Sequence, residues 1–121
     1  MFSTFHALLA YAGLAATLVW AAAILFGAGD VARFGATYRR VYMTMLGLVG
    51  LSGLMGLAVI GPWWRMWFPW LGLLLIALHS MLGARSRRAL WAMRTGPALV
   101  LALWQIVVLV VATGLMAARW F

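Results

Sequence analysis

The chain has 121 residues, of which 68% are apolar and 8% charged, with a mean hydropathy of +1.08. So little polar surface excludes a water-soluble globular domain. The net charge of +8 would suit nucleic acid, but all nine cations are Arg placed between apolar runs, where charge sets membrane topology, so nucleic acid is not an expected partner.

Four apolar runs approach the roughly 20 helical residues that a bilayer core requires: Phe5 to Phe26, Val41 to Ile60, Trp67 to Ala84, and Pro97 to Ala118. They do not alternate in polarity as barrel strands would. The expected fold is all-α, an integral membrane four-helix bundle, with residues 1–121 forming one four-span domain. The first loop carries Arg33, Arg39 and Arg40 and the third Arg85, Arg87, Arg88 and Arg94, against Arg65 and Arg119 on the other side. That asymmetry predicts cytoplasmic first and third loops and both termini in the periplasm, in a multi-pass protein of the bacterial inner membrane. Each Arg near an anionic lipid surface contributes about 1 kcal/mol, so lipid is an expected partner of those loops. There is no Cys, and therefore no disulfide, thiolate ligand or thiol nucleophile.

In chain order, Ser3 and Thr4 offer an N-cap for a first helix that opens with Phe5 and His6. Met1 to Thr4 lack the cationic start of a signal peptide, so the run is expected to be retained as a span. Its Ala and Gly content lets neighbouring backbones approach, and Tyr11 and Thr17 are expected to hydrogen-bond between helices. Asp30, the only acid, is placed to cap a short helix running toward Arg39. With one carboxylate, paired-carboxylate catalysis is excluded.

The second span carries Gly47, Gly50, Gly53 and Gly56, a three-residue step that winds around the helix. It reads as a helix contact, particularly at Gly50 and Gly53, or as room for a flat macrocycle or lipid tail. Gly61 and Pro62 end the helix. The hairpin that follows gathers Trp63, Trp64, Trp67 and Trp70, joined at that level by Phe2, Phe5, Trp120 and Phe121, as an interfacial aromatic belt. Pro69 falls in the first turn of the third span, where donors are unpaired anyway. The stretch from Ala84 to Thr95 alternates Arg with Leu90, Trp91 and Met93, like a short interfacial helix.

His79 stands inside hydrocarbon in the third span. Ionisable groups at that depth are costly and usually face a bundle interior, where they serve an ion path, a proton relay or a cofactor. His6 lies at the outer rim, about 18 Å away along the bundle at about 1.5 Å per residue, so the two imidazoles cannot share one metal. Gln105, in the fourth span, falls at the depth of His79 and can bond it, which makes that pair either structural or part of a site. Near His6 stand Met55, Met66 and Met116, soft thioethers that suit haem iron or Cu(I).

The segments FHALLAYAGLAATLVW, YRRVYMTMLGLVGLSGLMGLAVI and WLGLLLIALHSMLGARSRRAL resemble the bacterial four-helix membrane protoporphyrinogen oxidase family of haem synthesis and the related copper-resistance protein D membrane domain. The resemblance covers nearly the whole chain and implies an inner-membrane bundle holding haem b, with His6 matching the first-helix haem ligand. The oxidase family carries a lysine early in its third helix where this chain has Phe68, and no lysine occurs anywhere. The expectation is a small haem b-binding or metal-handling membrane protein with a redox role, having His6 as iron ligand and His79, Met55, Met66, Met116 and Gln105 as further cofactor-site candidates. The competing expectation is a non-catalytic accessory subunit of a larger respiratory or photosynthetic complex, or a homo-oligomer. Coupled transport usually shows several intramembrane charges or broken helices, and neither is present.

Overall fold

The computed structural model describes residues 2–27 and 30–119, and only the backbone of residues 2, 3, 59, 60 and 116–119. Among the described residues the chain forms four α-helices, α1 (Phe2–Phe26), α2 (Val31–Ile60), α3 (Trp67–Trp91) and α4 (Thr95–Arg119). A single 3₁₀ turn, Trp63–Arg65, stands between α2 and α3. All four helices are long and apolar enough to cross a membrane. Hydrocarbon offers backbone groups no partner, so even a segment with glycine every three residues is held helical.

Residue numbers rise along α1 as they fall along α2: His6 meets Ser52, Gly13 meets Val49, and Trp20 meets Tyr42. The same antiparallel sense joins α2 to α3, through Gly53 with Ile76 and Tyr42 with Arg87, and α3 to α4, through His79 with Gln105 and Ser86 with Ala98. Backbones pack as a ring, with α1 against α2 and α4 and α3 against α4 and α2. The α1–α3 diagonal is joined by side chains, Thr17 to His79 and Trp20 to Ser86.

All four helices run beyond the spans expected from sequence, α2 and α3 by the most. α2 begins at Val31, so Arg33, Arg39 and Arg40 lie on its first turns and not on a separate short helix. Its 30 residues extend about 45 Å, well beyond a hydrocarbon core of about 30 Å. Asp30 caps it as expected, its carboxylate accepting from the Arg33 backbone N–H at 3.1 Å. α3 continues to Trp91 and carries Arg85, Arg87 and Arg88 as its own last turns, which replaces the expected interfacial helix. Met93 then turns the chain with φ at 60°, as Met93 N–H donates to the Leu90 carbonyl and Arg94 N–H to that of Ala89. Arg87 stacks over both Tyr42 and Trp91, at 5.1 and 5.3 Å, so one cation covers the apolar core at this end.

The large side chains of the core sit toward the Arg-rich end. Trp20, Ile24, Tyr38, Tyr42, Met45 and Leu90 pack together there with Ala21, Ala89, Ala98 and Ala102. The outward faces carry Leu8, Leu18, Leu54, Leu74, Val107 and Val110, as a lipid-facing surface requires. Tyr11 is also exposed, so its expected interhelical bond is replaced by a lipid-facing position.

The glycines fall into two groups. A Cβ at Gly13 would lie 2.9 Å from a Val49 methyl and 3.4 Å from Val49 backbone atoms, and one at Gly53 would lie 2.6 Å from the end of Ile76. Gly47 and Gly50 have nothing within 4 Å, so the contact expected at Gly50 is not an internal one. Gly13→Leu should force α1 from α2 and lower stability by about 1–3 kcal/mol. Gly47→Leu should leave it unchanged. Thermal unfolding in detergent distinguishes the two, and equal losses would refute this grouping.

Candidate functional site

The two histidines occupy separate levels. His6 lies in the first turns of α1, and the level of His79 is marked on α1 by Thr17, about three turns or 16 Å further along.

At the upper level the His6 ring packs on α2. Nδ1–H donates to the backbone carbonyl of Ser52 at 2.9 Å, since a carbonyl can only accept. In the neutral imidazole this leaves Nε2 with its lone pair. The carbonyl of residue i in a helix lies beside the side chain of residue i+4, and for Ser52 that residue is Gly56. A Cβ at Gly56 would lie 2.9 Å from His6 Cε1 and 3.3 Å from Nδ1, so the missing side chain is what uncovers the carbonyl. Met55 is half-buried and about 100° around α2 from Gly56. Met66, also half-buried, ends the turn before α3, its backbone N–H bonded to the Trp63 carbonyl at 3.1 Å. The side chain of Met116, with Trp120 and Phe121, lies outside the described residues. Of the expected aromatic belt, Trp64, Trp67 and Trp70 are exposed and Trp63 meets Trp70 at 5.1 Å in a tilted pair, while the side chain of Phe2 lies outside the described residues.

At the lower level His79, Gln105 and Thr17 are each fully buried. Gln105 Nε2 donates to the backbone carbonyl of His79 at 3.1 Å and lies 3.7 Å from Met45 Sδ. The pairing of Gln105 with His79 was legible from depth, but the bond is to the main chain. The residue at i+4 from His79 is Gly83, where a Cβ would sit 2.6 Å from Gln105 Nε2. The same glycine device therefore operates at both levels. Thr17 donates its hydroxyl proton to the Gly13 carbonyl at 2.8 Å, so toward the His79 ring, 3.1 Å away, its oxygen accepts from Nε2–H. Ser80 and Met43 point outward and take no part.

A third polar chain lies nearer the Arg-rich end. Trp20 Nε1–H donates to Ser86 Oγ at 3.1 Å, and Ser86 donates to the Ala98 carbonyl at 2.7 Å. Sequence reading missed it because Ser86 falls in a segment assigned to a loop. Its signal was a serine three residues after Gly83, on an α3 that had not yet ended.

Among the described residues no three His, Asp or Glu side chains gather to hold a metal. Comparison with family models, curated proteins and solved structures returns no match.

Thr17→Val should cost about 1–3 kcal/mol by stranding the His79 N–H in the core, with Thr17→Ser close to wild type. Denaturation in mixed micelles, followed by Trp fluorescence, measures both. A Val variant of full stability would mean that the hydroxyl carries no bond of consequence. His79→Ala should keep the bond from Gln105 to the main chain and lose stability mainly through the cavity left behind.

Proposed function

We propose that the protein is a small haem b-binding four-helix protein of the bacterial inner membrane, with His6 as axial ligand. The observation that carries this reading is the bond from His6 Nδ1–H to the Ser52 carbonyl, because histidines that ligate iron commonly donate their other ring nitrogen to such an acceptor. The bond fixes the tautomer and leaves Nε2 as the donor atom for iron. Haem brings four nitrogens of its own and asks one or two side chains of the protein, so it is compatible with a bundle lacking a three-ligand cluster.

The distribution of bulk gives further support. The largest fully buried side chains, from Trp20 and Tyr38 to His79 and Gln105, all lie at or below the level of His79. Around His6 the buried positions on α1, α2 and α3 are Gly13, Ser52, Gly56, Pro69 and Gly72, with Val49 against Gly13. Met55 and Met66 belong to the same half and are the candidates for a second axial ligand. Bound haem would supply a one-electron couple, and the chain's part is to ligate it, bury it and set its electrostatics. Phe68 in place of the oxidase lysine argues against the oxidase reaction and is compatible with a relative that keeps the scaffold or the haem.

A second reading, an accessory subunit of a larger respiratory or photosynthetic complex, is favoured by Gly47 and Gly50. Their open positions uncover the α2 carbonyls of Met43 and Leu46 beside the exposed Leu51 and Leu54, a face suited to another helix.

The absorbance spectrum of protein purified with haem supplied separates the two. Under the haem reading a Soret band is present, is lost in His6→Ala and Gly56→Leu, and persists in His79→Ala. A colourless wild type that copurifies with large subunits favours the second reading. Haem loss in His79→Ala alone would move the site to the other half of the bundle.

Orientation follows from Arg placement: both termini periplasmic, with the seven-Arg end in the cytoplasm against anionic lipid. Alkaline phosphatase fused after Phe121 should be active and a cytoplasmic fluorescent reporter there dark. The opposite pair of results would invert the topology.

A further inference from the structure

We infer that His79 Nδ1 and Gln105 Oε1 form a built site for an internal water in the bundle core. Both atoms are fully buried, and no protein group among the described residues bonds either one. Their orientations are fixed by their own partners. Turning the Gln105 amide over would set its oxygen against the His79 carbonyl, at the 3.1 Å now spanned by an N–H donor, so Oε1 must face away. The Thr17 hydroxyl proton is committed to the Gly13 carbonyl, so Nε2–H of His79 goes to Thr17 and Nδ1 carries a lone pair. The 3.4 Å approach of Gln105 Nε2 to His79 Nε2 is then a contact between two N–H groups and satisfies neither of the stranded atoms.

The two stranded acceptors belong to one imidazole and one carboxamide that meet through their Nε2 atoms at 3.4 Å, and the occupant inferred for them is a small molecule with two protons to give. Water matches that count, donating one proton to Nδ1 and one to Oε1. It also fits the other tautomer, since it can accept from Nδ1–H while donating to Oε1, whereas a cation fits one tautomer only. The groups recorded against the two side chains are neutral: Thr17 from α1 at His79 Nε2, and Met45 from α2 and Gly83 on α3 at Gln105 Nε2. Nothing charged competes for the lone pairs among these groups. The consequence is a hydrated imidazole inside the bundle, independent of whether His6 holds haem.

The test is solid-state NMR of the full chain in phosphatidylglycerol–phosphatidylethanolamine vesicles, with the ring nitrogens of both histidines labelled with nitrogen-15 and His79→Asn used to assign the signals. The expected result is an Nε2–H tautomer for His79, with an Nδ1 resonance shifted by hydrogen bonding and polarised from water protons. In Gln105→Met, which keeps the side-chain length and removes Oε1, that transfer should fall sharply while the Nε2–H tautomer stays. Absence of any transfer from water to the wild-type His79 ring would overturn the inference, and so would undiminished transfer in folded Gln105→Met. If that variant does not insert, the wild-type measurement decides alone.

Discussion

Helix association in this bundle depends on one repeated bond, a backbone carbonyl uncovered by a glycine one turn later and taken by a polar side chain from the neighbouring helix. His6 takes the carbonyl of Ser52 beside Gly56, Gln105 that of His79 beside Gly83, and Tyr38 that of Ala23 beside Gly27. Ser86 does the same to Ala98, with Ala102 as the small residue. In water such bonds would exchange against solvent at little gain. In hydrocarbon the polar side chain has no other partner, and hydrophobic burial does not distinguish lipid from protein, so these bonds and close packing are what bring the helices into register.

The bonds are spread over the height of the bundle and assign each level a pair of helices. His6 sets the upper α1–α2 contact, Gln105 the middle α3–α4 contact, and Tyr38 and Ser86 the lower ends. The ring is then closed across its α1–α3 diagonal by Thr17 with His79 and Trp20 with Ser86, where backbones do not pack closely. Below the level of His79 the space between helices is filled by Trp20, Tyr38, Tyr42 and Met45. Above it the buried positions include Gly13, Ser52 and Gly56 beside Val49, Val108 and Leu109, and the His6 bond joins α1 to α2.

Span number, helical class and the depth relation between the two histidines were legible in the sequence because they depend on counting alone. Residues per span and rise per residue are independent of packing. Helix ends were less legible, since Arg33 to Arg40 and Arg85 to Arg88 break the apolar pattern without breaking the helix. Hydropathy reports where lipid ends and says little about where backbone bonding ends. The glycines were read as packing positions, which holds for Gly13 and Gly53 and misses their second use. That use requires knowing which residue on the next helix faces the carbonyl four positions back, a rotational detail that one sequence does not contain.

The same physics explains why His79 and His6, alike in residue type, are suited to different work. His79 donates Nε2–H to a hydroxyl on α1, and its Nδ1, like Gln105 Oε1, is buried without a partner among the described residues. A ligand there must be small enough to fit inside a closed cluster. His6 donates Nδ1–H to a carbonyl on the neighbouring helix and is only half-buried, so its Nε2 belongs to a ring that is not closed off as that of His79 is. Which nitrogen is left with the lone pair is decided in each case by a single acceptor, Ser52 O for one ring and Thr17 Oγ1 for the other. The two rings therefore present opposite nitrogens, Nε2 in the upper half and Nδ1 in the lower.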